Sequence, residues 1–144
     1  MIFAIDPGTT ESGWCVYDGR VCDSGVDDNA DLLLKIKHAQ PDYPLAIEMI
    51  ASYGMPVGKE VFETCVWIGR FQQAWRRPEE VRLIYRRDVK LHLCSSPRAK
   101  DANIRQALID KLGPVGTKNA PGPLYGVKSH AWAALGVAVT ALSL

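Results

Sequence analysis

No stretch of this 144-residue chain approaches the roughly 18 consecutive apolar residues of a membrane-spanning helix. Nor does a charged N-terminal region lead into a signal-peptide core, so a soluble, cytoplasmic protein without membrane partners is expected. Its four cysteines, Cys15, Cys22, Cys65 and Cys94, never fall in a Cys-x-x-Cys pair. A zinc site or dithiol redox motif therefore has no local support, and reduced, mostly buried thiols are expected. Internal repeats and low-complexity segments are absent too. A composition of 47% hydrophobic and 23% charged residues fits one globular domain over 1–144, with no room for two large lobes.

Net charge is close to nothing at +1, but the halves differ. Residues 1–63 carry 4 Lys/Arg against 11 Asp/Glu, and 64–144 carry 13 against 5. The densest basic stretch runs from Arg70 to Arg105 and includes Arg86, Arg87, Lys90, Arg98 and Lys100. Such a footprint suits a phosphate backbone held by charge. A solvated surface paired with the acidic half is the plainer reading. A basic half around an acidic metal centre is what a nuclease needs.

The acidic half offers that centre. Ile2-Phe3-Ala4-Ile5 is a short apolar run ending in Asp6, then Pro7-Gly8-Thr9-Thr10 and Ser12-Gly13: a buried strand that delivers an acid to a tight turn. Pro44-Leu45-Ala46-Ile47 likewise ends in Glu48. Either acid alone reads equally well as a turn or cap residue. Two strand-end acids on one sheet can share a hard divalent cation, which takes oxygen ligands and keeps positions for water and phosphate.

The pattern predicts strands at 2–6, 13–18 and 20–25, with Asp18-Gly19 as a two-residue hairpin turn. A helix capped by Asn29 or Asp31 follows, with Leu32, Leu33 and Ile36 inward, and then the strand that carries Glu48. Residues 57–76 place Val57, Val61, Ile68 and Trp75 on one helical stripe and Phe62 and Val66 on another face. A strand at Arg82–Tyr85 and a short helix around Val89–Leu93 come next. Ser96 or Asp101 caps a helix to Leu112, a Gly/Pro-rich loop spans 113–127, and Ser129 caps a helix from His130 with Leu135, Ala138, Val139 and Leu142 inward.

Asp6-Pro7-Gly8-Thr9-Thr10-x-Ser12-Gly13, the Ala46-Ile47-Glu48 strand, Val89-Lys90, Arg98-Ala99-Lys100 and His130-Ala131-Trp132-Ala133-Ala134-Leu135 together resemble the RuvC family of Holliday-junction resolvases, in particular its bacteriophage-encoded members. The resemblance spans nearly the whole chain. It implies an α/β, RNase H-like mixed five-stranded sheet flanked by helices and a homodimer, in the host cytoplasm if phage-encoded. It also implies a Mg²⁺ or Mn²⁺ site and hydrolysis of four-way junctions, flaps or forks to 5′-phosphate ends. By the same resemblance Asp6, Glu48 and His130 are metal ligands, and imidazole among them favours Mn²⁺. Lys90, Arg98 and Lys100 would balance phosphate charge, Lys100 closest to the chemistry. Arg86, Arg87 and Arg105 would hold DNA, and Tyr53 would stack on an unpaired base, unless it packs on Met55.

One departure stands out. One helical turn after His130 the family usually carries Asp, and this chain has Ala133. A lineage that works with fewer protein ligands, a substituting acid such as Asp101, or a junction binder that cuts poorly would each account for it, and the first is favoured because water and phosphate oxygens fill a Mg²⁺ shell. At a helix start, Asp101 reads better as a cap. A phosphate-handling protein of the actin and sugar-kinase type opens with a similar turn. It would need a second lobe and a second glycine-rich loop, which are missing here.

Overall fold

The computed structural model describes residues 1–144. Its sheet, ordered β3-β2-β1-β4-β5, consists of β1 (Ile2–Asp6), β2 (Glu11–Tyr17), β3 (Val21–Asp28), β4 (Leu45–Met49) and β5 (Arg82–Tyr85). The first three strands form an antiparallel meander, and β4 and β5 add in parallel beside β1. Around it lie α1 (Asn29–Ala39), α2 (Lys59–Ala74), α3 (Arg86–Cys94), α4 (Asp101–Leu112) and α5 (Ala131–Leu142). The expected mixed five-stranded sheet is present, and no helix is long and apolar enough to cross a membrane.

Alternation along the strands divides the core into two. Ile2 and Ala4 of β1, Ala46 of β4 and Ile84 of β5 point to the face covered by α5, with α3 and α4 beyond it. Phe3, Ile5, Leu45 and Ile47 point to the opposite face, where Leu32, Leu33 and Ile36 of α1 meet Ile68 and Phe71 of α2. Because α3 and α4 cover its outer side, α5 is buried at Ala131 and at every position from Ala134 to Ala141. A single inward stripe therefore understates it, and Leu142, expected inward, is exposed.

Several local expectations shift. The hairpin loop is Asp18-Gly19-Arg20, with Tyr17 paired to Val21 and a register shift between Val16 and Tyr17. Asp28, not Asn29 or Asp31, caps α1 by accepting from the Ala30 amide at 2.9 Å. Helix α4 starts at Asp101 with Lys100 in the cap position, and the Asn103 side chain accepts from the Lys100 amide at 2.9 Å. At α5 the cap position belongs to His130, while Ser129 stands outside in the left-handed region and makes no side-chain cap. On α2 the inward residues are Thr64, Ile68 and Phe71, with Trp75 just beyond; Val57 precedes the helix and is exposed. Phe62 and Val66 on its other face are 62% and 63% exposed. All four cysteines are free but only Cys15 is buried, and that burial pushes its thiol up to about 12.

Candidate active site

Strand register brings the two acids together. β1 and β4 pair in parallel with Ala4 opposite Ala46 and Ile5 opposite Ile47, so the next residues, Asp6 and Glu48, leave adjacent strands at the same level. Both continue the even-numbered set that faces α5. β5 lies beside β4 with Ile84 opposite Glu48, and two residues after Ile84 the chain reaches Arg86, the first residue of α3. Three neighbouring strand ends thus supply a carboxylate, a carboxylate and a guanidinium at the carboxyl edge of the sheet, where α/β sheets form their sites.

The turn after β1 is built to admit the last helix. A side chain at Gly13 would lie 2.3 Å from the His130 carbonyl, and one at Gly8 2.3 Å from the Glu11 carbonyl oxygen. Only glycine lets β2 and the start of α5 approach so closely. The buried Ser12 hydroxyl accepts from the Gly8 amide at 3.2 Å and donates to Asn29, whose amide in turn donates to the Gly8 carbonyl at 2.9 Å. That ring of bonds ties the turn to α1 and explains why Asn29 is not the cap.

Within the site, Asp6 Oδ2 lies 3.2 Å from His130 Nδ1, and the Asp6 carboxyl faces that of Glu48 within hydrogen-bonding reach. The Asp6 and Glu48 side chains are only 13% and 14% exposed. Burial, first, and then the charge and hydrogen bond of Glu48 push Asp6 up to about 8, against a smaller lowering by Arg86. Cationic charge placed between two buried carboxyls relieves their repulsion. Arg86 supplies part of that charge: one nitrogen of its guanidinium meets Glu48 Oε1 at 3.1 Å and the other is paired with Asp101 at the start of α4.

As they stand, the side chains do not converge on one point; no group of three or more His, Cys, Asp and Glu residues closes tightly enough to enclose an ion. Asp6 meets His130 while Glu48 is paired with Arg86. The donor chemistry nevertheless fits a hard divalent cation, because two carboxylates and an imidazole lie side by side and Arg86 offsets only part of the charge of the acid pair.

A cavity of about 110 Å³ opens beside these groups, lined by Arg86, Asp101, Arg105, His130, Trp132 and Ala133 among others. Ala133, where the resemblance leads one to expect Asp, and Asp101 thus line the same cavity. Arg105 stacks on Trp132 with 4.5 Å to the ring centre. A second, open groove of about 350 Å³ is lined by Tyr53, Arg86, Arg87, Lys90 and Pro97, so four of the expected DNA-contacting residues share one surface. Tyr53 there is exposed and in the left-handed region. Arg98 and Lys100 are exposed and line neither cavity, and Lys100, at the cap position of α4, makes no contact with the acid pair. Other members of the basic stretch serve the fold: Arg82 donates to the Ala141 carbonyl at the end of α5, and Arg77 pairs with Asp42 and Glu80.

Sequence reasoning missed Arg86 as the cation of the acid centre, although continuing the β5 alternation past Tyr85 places it there. It also missed Asn29, whose role depends on a bond to the distant Ser12, and the Arg105–Trp132 stack. His38 and His92 line neither cavity.

No family model and no curated protein matches the sequence. Solved structures do. The chain resembles RuvC of Thermus thermophilus with a TM-score of 0.65 and 20% identity over 96% of this chain and 91% of that one. It resembles T. thermophilus RuvC in complex with Holliday junction substrate with a TM-score of 0.66 and 22% identity over 96% and 90%. The fold, a mixed five-stranded sheet flanked by helices, is therefore that of RuvC, the RNase H-like architecture.

Proposed function

We propose that this chain is a divalent-metal-dependent endonuclease that cuts four-way DNA junctions and related branched DNA. The observation that carries the reading is the buried Asp6–Glu48 pair at adjacent parallel strand ends, with His130 at 3.2 Å from Asp6. The RuvC fold, one of whose solved examples is bound to a Holliday junction substrate, supports it.

Asp6, Glu48 and His130 would hold Mg²⁺ or Mn²⁺, which when bound supplies Lewis acidity at a phosphate and an acidified water. Arg87 and Lys90 hold backbone phosphates in the groove beside the acid centre, and Tyr53 at its rim offers a ring on which an unpaired base stacks. Water attacks phosphorus in line and the 3′ oxygen departs, leaving a 5′ phosphate. Arg98, Lys100 and Arg105 contribute longer-range attraction for DNA, and Lys100, next to the Asp101 that engages Arg86, is the one of the three nearest in sequence to the acid centre.

Nicking of a four-way junction in Mn²⁺ or Mg²⁺, with linear duplex as control, tests the reading. Junction-selective cuts that vanish with chelator are expected. A second reading, a protein that holds junctions without cutting them, draws on Ala133 and on the guanidinium already at Glu48; retention of the junction with no cut in either metal would establish it instead.

The exposed Phe62 and Val66 face of α2, unused by the core, is assigned to a two-fold contact in a homodimer, which symmetric cutting of a junction requires. Phe62→Glu should convert the dimer to a monomer on sizing without lowering the melting temperature of the subunit. A unmodified protein that already sizes as a monomer would remove that assignment.

A further inference from the structure

Arg86 is the one residue that lines both the cavity beside His130 and Asp101 and the open groove with Tyr53, Arg87 and Lys90. Its backbone is fixed at the junction of β5 and α3, but its side chain is 34% exposed. On one side it is paired with Glu48 at 3.1 Å and on the other with Asp101, whose own side chain is 86% exposed. A guanidinium fork suits two carboxylates or a phosphate, because both present paired oxygens. Both terminal nitrogens are engaged, one by Glu48 and one by Asp101, so a groove phosphate that takes the whole fork competes with Glu48 for it.

We propose that Arg86 is a positioning residue that couples metal binding to DNA binding. In the free protein it acts as the counter-cation of Glu48, held there by Asp101. A backbone phosphate entering the groove draws the guanidinium outward and leaves Glu48 open to the divalent cation. The inference rests on the reading of Asp6, Glu48 and His130 as a metal site. A cation beside Glu48 repels Arg86 toward the groove, and a phosphate in the groove removes a competitor from Glu48, so each ligand strengthens the other to the same degree. The protein would then load its metal chiefly when DNA is present.

Calorimetric Mn²⁺ titration tests this, on the free protein and on its complex with a four-way junction carrying phosphorothioates at the crossover to slow cutting. In the unmodified chain the junction should raise Mn²⁺ affinity about tenfold, within the usual range for coupled sites. Arg86→Gln should bind Mn²⁺ about tenfold more tightly without DNA, and the junction should then add little. Arg86→Lys keeps the charge but cannot span both carboxylates, so it should fall between. Unchanged Mn²⁺ affinity in Arg86→Gln, or a junction effect that persists undiminished, overturns the role of Arg86 while leaving the metal site standing. If Arg86→Gln does not fold, Arg86→Lys with the affinity and coupling of the unmodified chain overturns it equally. Absence of Mn²⁺ binding in every variant, with and without junction, overturns the metal-site reading itself.

Discussion

Glu48→Gln should bind a four-way junction as tightly as the unmodified chain, or more tightly, while its cleavage rate falls on the order of a hundred- to thousandfold. The substitution is chosen for what it preserves. Gln has the same length and branching, and its carbonyl oxygen can still accept from Arg86, now at 3.1 Å from Glu48, so the strand end and the start of α3 keep their contact. What disappears is one negative charge in a buried acid pair. Binding gains, because that charge repels the incoming phosphate, and catalysis loses, because a hard cation holds a neutral amide oxygen far less well than a carboxylate. Gel retention in chelator and single-turnover nicking in Mn²⁺ separate the two effects. Unchanged cleavage would remove Glu48 from the site; equal loss of binding and cleavage would mark a folding defect.

How much of this could be seen in the chain itself depended on range. The meeting of Asp6 and Glu48 at neighbouring strand ends was legible because each closes a short apolar run, and the parallel pairing of those runs follows from the helical segment between them. Their common face follows from alternation alone. The strands and all five helices likewise come from local patterning. Capping was harder, since Asp28, Asn29 and Asp31 compete within four positions, and the outcome depends on Ser12, which captures Asn29 from 17 residues away. Charge in the second half was legible as a total but not as a map. Arg82 and Arg86 are one helical turn apart in sequence, yet the first closes the end of α5 and the second enters the acid centre. No composition or spacing separates them; the end of β5 does. For Ala133 the resemblance implies a carboxylate that this chain does not carry, and the structure adds that Asp101 lines the same cavity, already engaged by Arg86.

The acid pair also has a cost in stability, and this gives the second large effect. With metal removed, the protein should lose stability as pH rises from about 4 to about 8, by on the order of 5 kcal/mol at most. The sign follows from the proton count. Asp6 titrates at 3.8 in the unfolded chain and is pushed up to about 8 in the fold, so between those values the folded state holds a proton that the unfolded state has released. Stability from this group is full below the lower value and is lost as pH climbs through the upper one. Asp6→Asn mimics the protonated acid at every pH. It should therefore match the unmodified chain near pH 4 and exceed it increasingly toward pH 8, at the expense of cleavage. Mn²⁺ should restore the unmodified chain at the alkaline end, because the cation replaces the missing proton between Asp6 and Glu48, and it should do little for Asp6→Asn. Urea unfolding of both chains across this range, in chelator and in Mn²⁺, measures the whole cycle. Parallel stability curves for the two would show that Asp6 ionises freely in the fold, and that the pair needs no cation to hold it.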